Sequence, residues 1–281
     1  MEPSRHDAAS QRPACPRCGS TATVGNGSFA RKDGTREARR CCRSCRRSFN
    51  QHTGTPLQYI KKRQQWREMT DRMADRLSLR RMAAVLRVHP STAFRWRHRL
   101  LDSLRPHPTP ILTGTVATSE AYVPYSEKGS RRTDGPGAWG RRRRPAVRQN
   151  QGPGRFRRVA DGKPSFVLLA TAGQQEAVTL AGRGRPTPAE LHQALRPLLA
   201  SGVEVEAVGL APYAEACEQM SVRCAEAALP ARRSVDQLRS RFYGWLHPFR
   251  GVATRYLPNY ITWFSFLGRL TPRPSALPPC A

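Results

Sequence analysis

Along residues 57–77 the apolar positions Trp66, Met69, Met73 and Leu77 recur at helical spacing, which predicts an amphipathic helix. A sharper pattern follows over 78–101. Ser78 stands where an N-cap is needed, and Leu79, Met82, Ala83 and Leu86 line one face of a short helix. Arg87-Val88-His89 makes a turn, and Pro90-Ser91-Thr92 opens a second helix, where the missing proline N–H costs nothing. Ala93, Trp96 and Leu100 are expected to pack inward, and Ser91, Thr92, Arg95, His98 and Arg99 to face out. This is the arrangement of a helix-turn-helix, whose second helix offers polar side chains to phosphates and base edges in a major groove. The alternative for the same residues is a plain helical hairpin with an Arg-rich, solvated face.

Beyond Leu112 the period changes. Residues 116–123 read as a strand, and 166–171 and 177–180 as a hairpin around Ala172-Gly173-Gln174. Thr187-Pro188-Ala189-Glu190 is a capping box, opening a helix with Leu191, Leu195, Leu198 and Leu199 that Gly202 closes. Residues 203–210 alternate as a further strand, and Ser234 caps a helix with Val235, Leu238, Phe242 and Leu246 on one face. Strands, a crossover helix, another strand and more helices make a mixed α/β domain. Residues 126–163, rich in Gly, Pro and Arg with an arginine run at 141–144, read as a mobile basic loop that tracks phosphate.

Ahead of the helices lie two Cys-x-x-Cys pairs, Cys15-Pro16-Arg17-Cys18 and Cys42-Arg43-Ser44-Cys45. Two such knuckles fill the four tetrahedral positions of a structural Zn²⁺ site, and the 19–41 interval suits the strands of a zinc ribbon. Gly25-Asn26-Gly27 and Asp33-Gly34 supply turns. Cys41 is a possible competing ligand, but Cys42 preserves the symmetric spacing; Cys217, Cys224 and Cys280 show no metal spacing. The fold class that results is α+β and multi-domain. Residues 1–13 form a disordered tail, 14–52 a zinc ribbon, 53–105 a helical helix-turn-helix domain, 106–267 the mixed α/β domain and 268–281 a loose tail.

A net charge of +28 points to a polyanionic partner, because neutralising phosphates releases their counterions. The cations are nearly all Arg in a chain also rich in Ala, Gly and Pro, a composition that a GC-rich coding sequence can explain in part. No apolar run approaches the about 18 residues that span a bilayer, and residues 1–12 contain no apolar signal segment. The expectation is a cytoplasmic protein that binds double-stranded DNA and no membrane.

The C-terminal run Trp245-Leu246-His247-Pro248-Phe249-Arg250-Gly251-Val252-Ala253-Thr254-Arg255-Tyr256-Leu257-Pro258-Asn259-Tyr260-Ile261-Thr262-Trp263 resembles the closing block of bacterial insertion-sequence transposases of the ISXO-like group. The cysteine pairs, Thr53-Gly54-Thr55-Pro56-Leu57, the 91–99 helix and Ser126-Glu127-Lys128-Gly129-Ser130 follow the family's order and cover most of 15–267. The resemblance implies a DNA-cutting and joining enzyme that acts on element ends as a homo-oligomer, with a DDE-type, RNase H-like domain over 106–267. In such a domain acidic side chains hold two Mg²⁺ ions, one activating the nucleophile and one stabilising the leaving oxygen.

The chain departs from that pattern where the acids belong. The family's Val-Glu-x-Asp-Glu-Thr block aligns with residues 116–121, setting Ser119 in the place of the metal-binding Asp. The second acid aligns with Ala211, and the third region, Asn with a nearby His in this group, aligns with Asp236 and Arg239. Glu120 and Glu215 are the nearest substitutes, but Glu120 is one residue off and so belongs to the other face of a strand. The expectation is a transposase by descent in which Asp236 is the one remaining candidate ligand, Mg²⁺ being required only if the centre is active.

Overall fold

The computed structural model describes residues 13–31, 34–105, 109–126, 128, 164–249 and 251–270. The basic run 141–144 and both expected tails, apart from 13 and 268–270, lie outside them. The chain is α+β and divides into two compact units between Thr70 and Asp71. That division falls inside the expected 53–105 domain.

In the smaller unit, β1 (Thr23–Ala30), β2 (Arg36–Cys42) and β3 (Ser48–Phe49) form an antiparallel sheet in that order. Gly25-Asn26-Gly27 is not the expected turn. It is a bulge within β1, where the register shifts between Gly25 and Ser28 and Gly27 takes a positive φ of 71°. Between β1 and β2 the Arg31 N–H donates to the Thr35 carbonyl; of the expected Asp33-Gly34 turn, Asp33 lies outside the described residues. A run of turns then leads into α1 (Arg63–Asp71), shorter than the expected 57–77 helix. Glu37 explains why residues beyond the ribbon belong to this unit. Its side chain, 3% exposed, is ion-paired through one carboxylate oxygen, Oε1, with both Arg31 and Arg63 of α1.

In the larger unit, α2 (Leu79–Val85) and α3 (Pro90–Leu104) precede a five-stranded sheet of β4 (Thr115–Val123), β5 (Ser165–Ala172), β6 (Gln175–Arg183), β7 (Glu204–Ala207) and β8 (Arg223–Glu226). The sheet runs β6-β5-β4-β7-β8, with β4–β5 and β5–β6 antiparallel and β4–β7 and β7–β8 parallel. β5 is buried along its whole length, as a strand covered on both faces must be, hence its unbroken small and apolar sequence.

Alternation along β4 sorts the two layers. Val116 joins Phe166, Leu168 and Tyr213 under α4 (Pro188–Leu195) and α5 (Ala211–Gln219). Ala117 and Ala121 join Val167, Leu169, Leu238 and Phe242 under α6 (Leu229–Leu246) and α7 (Leu257–Leu270).

The capping box at Thr187 and Glu190 is present as expected, but α4 stops at Leu195 and continues as a 3-10 turn, because Pro197 has no N–H to donate. Ser234 does not cap α6. The helix begins five residues earlier, with Pro230 in its first turn, and the Ser234 hydroxyl instead donates to Thr171 Oγ1 at 3.0 Å. The pattern gave no warning of β8, whose Arg-Cys-Ala-Glu has no apolar run; α5 did leave a signal in Pro212, Tyr213, Ala216 and Cys217.

Candidate functional site

The two cysteine knuckles are built alike. Each has an amide–carbonyl bond closing the turn, Cys15 N–H to the Ser20 carbonyl and Cys42 N–H to the Arg47 carbonyl. Each places the residue after its second cysteine at positive φ, Gly19 at 74° and Arg46 at 56°. Cys15 Sγ and Cys45 Sγ are 3.7 Å apart, Cys18 Sγ and Cys42 Sγ 3.6 Å, and all four sulfurs lie within 4.8 Å of one another. A disulfide needs about 2.05 Å. Tetrahedral bonds of about 2.3 Å to one ion set sulfurs about 3.8 Å apart, so the cluster is sized for a metal such as zinc.

Its electrostatics ask for a cation. The Cys45 amide leads the influences that draw the Cys42 thiol down to about 6. At Cys18 the Ser20 amide pulls the same way but is outweighed by the neighbouring sulfurs and burial, which push that thiol up to about 11. Four crowded sulfurs cannot all be thiolates unless an ion joins them. Cys41 stands outside the cluster: adjacent strand residues point to opposite faces, and its thiol donates to the Cys42 carbonyl.

The helix pair α2–α3 is formed as its residues require. Ser78 Oγ accepts from the Arg81 amide, and His89 Nδ1 accepts from the Ser91 amide with Pro90 in the first turn. Ser91 and Arg95 are exposed, and Thr92 and Arg99 partly so, as expected. His98 corrects the sequence reading. It is 7% exposed, stacked near Phe94 and Tyr256, and its Nδ1 lies 3.1 Å from Asn259 Nδ2. Burial pulls its pKa down to about 4, so it is a neutral packing residue and takes no part in an outer face. The sequence does not single out Arg97. Fully buried, it donates to the Leu77 carbonyl at 2.7 Å and lies over the Trp263 and Phe249 rings. α3 thus spends the Arg97, His98 and Leu101 side on the aromatic cluster of Trp245, Tyr260 and Trp263, and turns the Ser91 and Arg95 side outward.

The aligned acid positions are only partly gathered. Ser119 faces α6, buried, and meets Arg239, whose guanidinium also pairs with Asp236 and donates through Nε to the Glu120 carbonyl at 3.1 Å. One protein cation therefore joins Ser119 to Asp236. Glu120, as its parity requires, points to the other layer beside the Tyr213 hydroxyl, where burial raises its pKa. Ala211 opens α5, with Glu215 exposed one turn on. Among the described residues, the four cysteines are the one group of three or more His, Cys, Asp or Glu side chains placed to hold a metal. A hydroxyl, a methyl and a half-exposed Asp already paired to Arg239 do not fit a pair of Mg²⁺ ions, which need several anionic oxygens.

Compared with protein-family models, curated proteins and solved structures, the chain matches none of them. Among the described residues, no helix is long and apolar enough to cross a membrane.

Proposed function

We propose that this protein binds double-stranded DNA through a zinc-loaded ribbon and a helix-turn-helix, and that it descends from insertion-sequence transposases without retaining their strand chemistry. The observation that carries the loss of strand chemistry is Arg239 joined to both Ser119 and Asp236. A guanidinium and a divalent cation compete for the same oxygens, and here the guanidinium is covalently part of the protein.

Three features support the descent. The larger sheet, numbered from β4, has the order 3-2-1-4-5 with its second strand antiparallel to the rest, a mixed sheet compatible with the RNase H-like fold that the resemblance implies. Ser119 on the central strand and Asp236 on α6 bond the same Arg239 guanidinium, so two of the aligned positions lie within reach of one side chain. The aromatic C-terminal block docks on α3, which ties the DNA-reading helix to the sheet domain within one unit. Zinc is the ion that suits four thiolates in tetrahedral array. The ligands are Cys15, Cys18, Cys42 and Cys45, and binding to element ends proceeds as a homo-oligomer.

The test is an end-cleavage assay with DNA flanking the gene, run with Mg²⁺ and with Mn²⁺, binding being scored on the same samples. Binding without nicking is the expected result. Metal-dependent nicking at a defined position would overturn it and turn attention to Glu120, Glu215 and Asp236 as ligands.

A further inference from the structure

Residues 13–70 carry thirteen Lys and Arg against three acids, and one of those acids, Glu37, is already ion-paired internally to Arg31 and Arg63. On this basic unit a single large apolar side chain among the described residues stands in water. Tyr59 is 82% exposed. Its backbone sits at a φ of 62°, a conformation that L-residues with a Cβ avoid.

The surrounding loop enforces that conformation. Thr55 N–H donates to the His52 carbonyl, Gln58 N–H to the Thr55 carbonyl and Ile60 N–H to the Leu57 carbonyl. Gly54 N–H donates to Gln58 Oε1, and Arg31 Nη1 reaches the Ile60 carbonyl at 3.3 Å. Ile60, next in sequence, is buried. The chain thus accepts two local costs at one residue: an unfavourable φ and an aromatic ring left in water. Lys61 and Lys62, both exposed, follow at once. Residues that break local rules on a well-tied frame mark places where something other than folding is served.

We infer that Tyr59 with Lys61 and Lys62 is a clamp for an unpaired nucleotide of DNA, the ring stacking on the base and the ammonium groups meeting the flanking phosphates. The inference rests on the reading of the chain as DNA-binding. An exposed ring beside cations is how sequence-tolerant single-strand sites are made, since every base offers a π-face. It selects unpaired nucleotides because the faces of a base inside a duplex are already covered by its neighbours. The lysines add a phosphate term that is blind to sequence.

The test uses the full-length, zinc-loaded protein and a labelled duplex from the DNA flanking its gene, fully paired in one form and with an unpaired bulge in the other. Fluorescence anisotropy reads both affinities. The wild type should prefer the bulged form about tenfold, as stacking on one base implies. Tyr59→Ala should erase that preference without weakening binding to the paired duplex, and Tyr59→Phe should keep it. Lys61→Ala/Lys62→Ala should weaken both forms and flatten the dependence of log K on log salt by about 1.4–1.8.

A second measurement separates binding from folding. Tyr59→Gly should lose the preference while the smaller unit melts about 4–8 °C higher, because glycine accepts the positive φ. A ring that served the fold would lower the melting temperature instead, and that result overturns the clamp. So does a Tyr59→Ala protein that keeps the preference. If Tyr59→Ala is silent while Arg95→Ala loses duplex binding, the clamp fails and the DNA reading stands. If the wild type binds neither DNA, both fail together.

Discussion

Replacing Arg239 by Ala removes the cation that joins α6 to the central strand, and its cost can be worked from the contacts. The pair with Asp236 contributes least, about 0–1 kcal/mol, because Asp236 is 48% exposed and water screens the pair. The bonds to the Ser119 hydroxyl and the Glu120 carbonyl matter more. Ser119 is 1% exposed, the Arg239 side chain 28%, and each charge-assisted bond in such surroundings contributes about 1.5–3 kcal/mol. Water entering the vacated space recovers part of that loss. The net expectation is a destabilisation of about 2–4 kcal/mol. Urea unfolding of the full chain reads it as a lower midpoint at unchanged slope. Asp236→Ala should cost under about 1 kcal/mol, and a cycle with Ser119→Ala should show a coupling of about 1–2 kcal/mol. The same titrations with Mg²⁺ should leave the wild-type midpoint unmoved, since a ligand stabilises only the state that binds it. An Arg239→Ala protein within about 0.5 kcal/mol of wild type, or a wild type that Mg²⁺ stabilises, would refute the reasoning: the guanidinium would then be solvated and the slot open to a metal.

Four further outcomes can be checked directly. Cys18→Ser should lose bound zinc and unfold the ribbon, since the ion supplies much of its folding free energy; unchanged zinc content by atomic absorption would sink the four-cysteine assignment. Arg95→Ala should weaken specific DNA binding by about 1–3 kcal/mol, more than loss of one arginine from the 141–144 run, and equal losses would mean that α3 touches backbone alone. Glu37→Gln should destabilise the smaller unit by about 2–4 kcal/mol, below the full cost of breaking a buried pair because Arg31 and Arg63 are 15% and 24% exposed and can hydrate; a chemical denaturation curve matching wild type would contradict that. His98, held down at about 4 chiefly by burial, is neutral in the folded protein, whereas the unfolded chain takes up its proton near 6.5. Stability should therefore fall as pH drops from about 6.5 to 4, and His98→Gln should remove that portion of the slope.

The sequence alone announced the pieces that depend on neighbours in the chain. The cysteine pairs, the Ser78 and Pro90 helix starts, the Thr187 capping box and the hairpin about Gly173 are local chemistry, satisfied within a few residues of themselves. Parity along β4 likewise told that Glu120 could not stand in for Ser119, because alternate residues of a strand face opposite ways wherever the strand lies. What the sequence misjudged depends on distant partners. Five of the residues 91–99 could face outward from α3 by spacing alone, and only the packing of Tyr256 and Asn259, more than 150 residues on, buries His98. Nothing in the sequence singles out Arg97; the Trp263 ring of α7 and the Leu77 carbonyl, far from it in the chain, give it its place. Ser234 had the residue type of a cap, but Thr171 across the layer claims its hydroxyl. Arg239 is the clearest case. Its role lies in a strand 120 residues earlier, whose Ser119 it bonds. A helix period states which side of α6 a residue occupies, but not what waits opposite it. That is decided when the sheet and helix pack, since the free energy of a buried polar group is set by the partner it finds there.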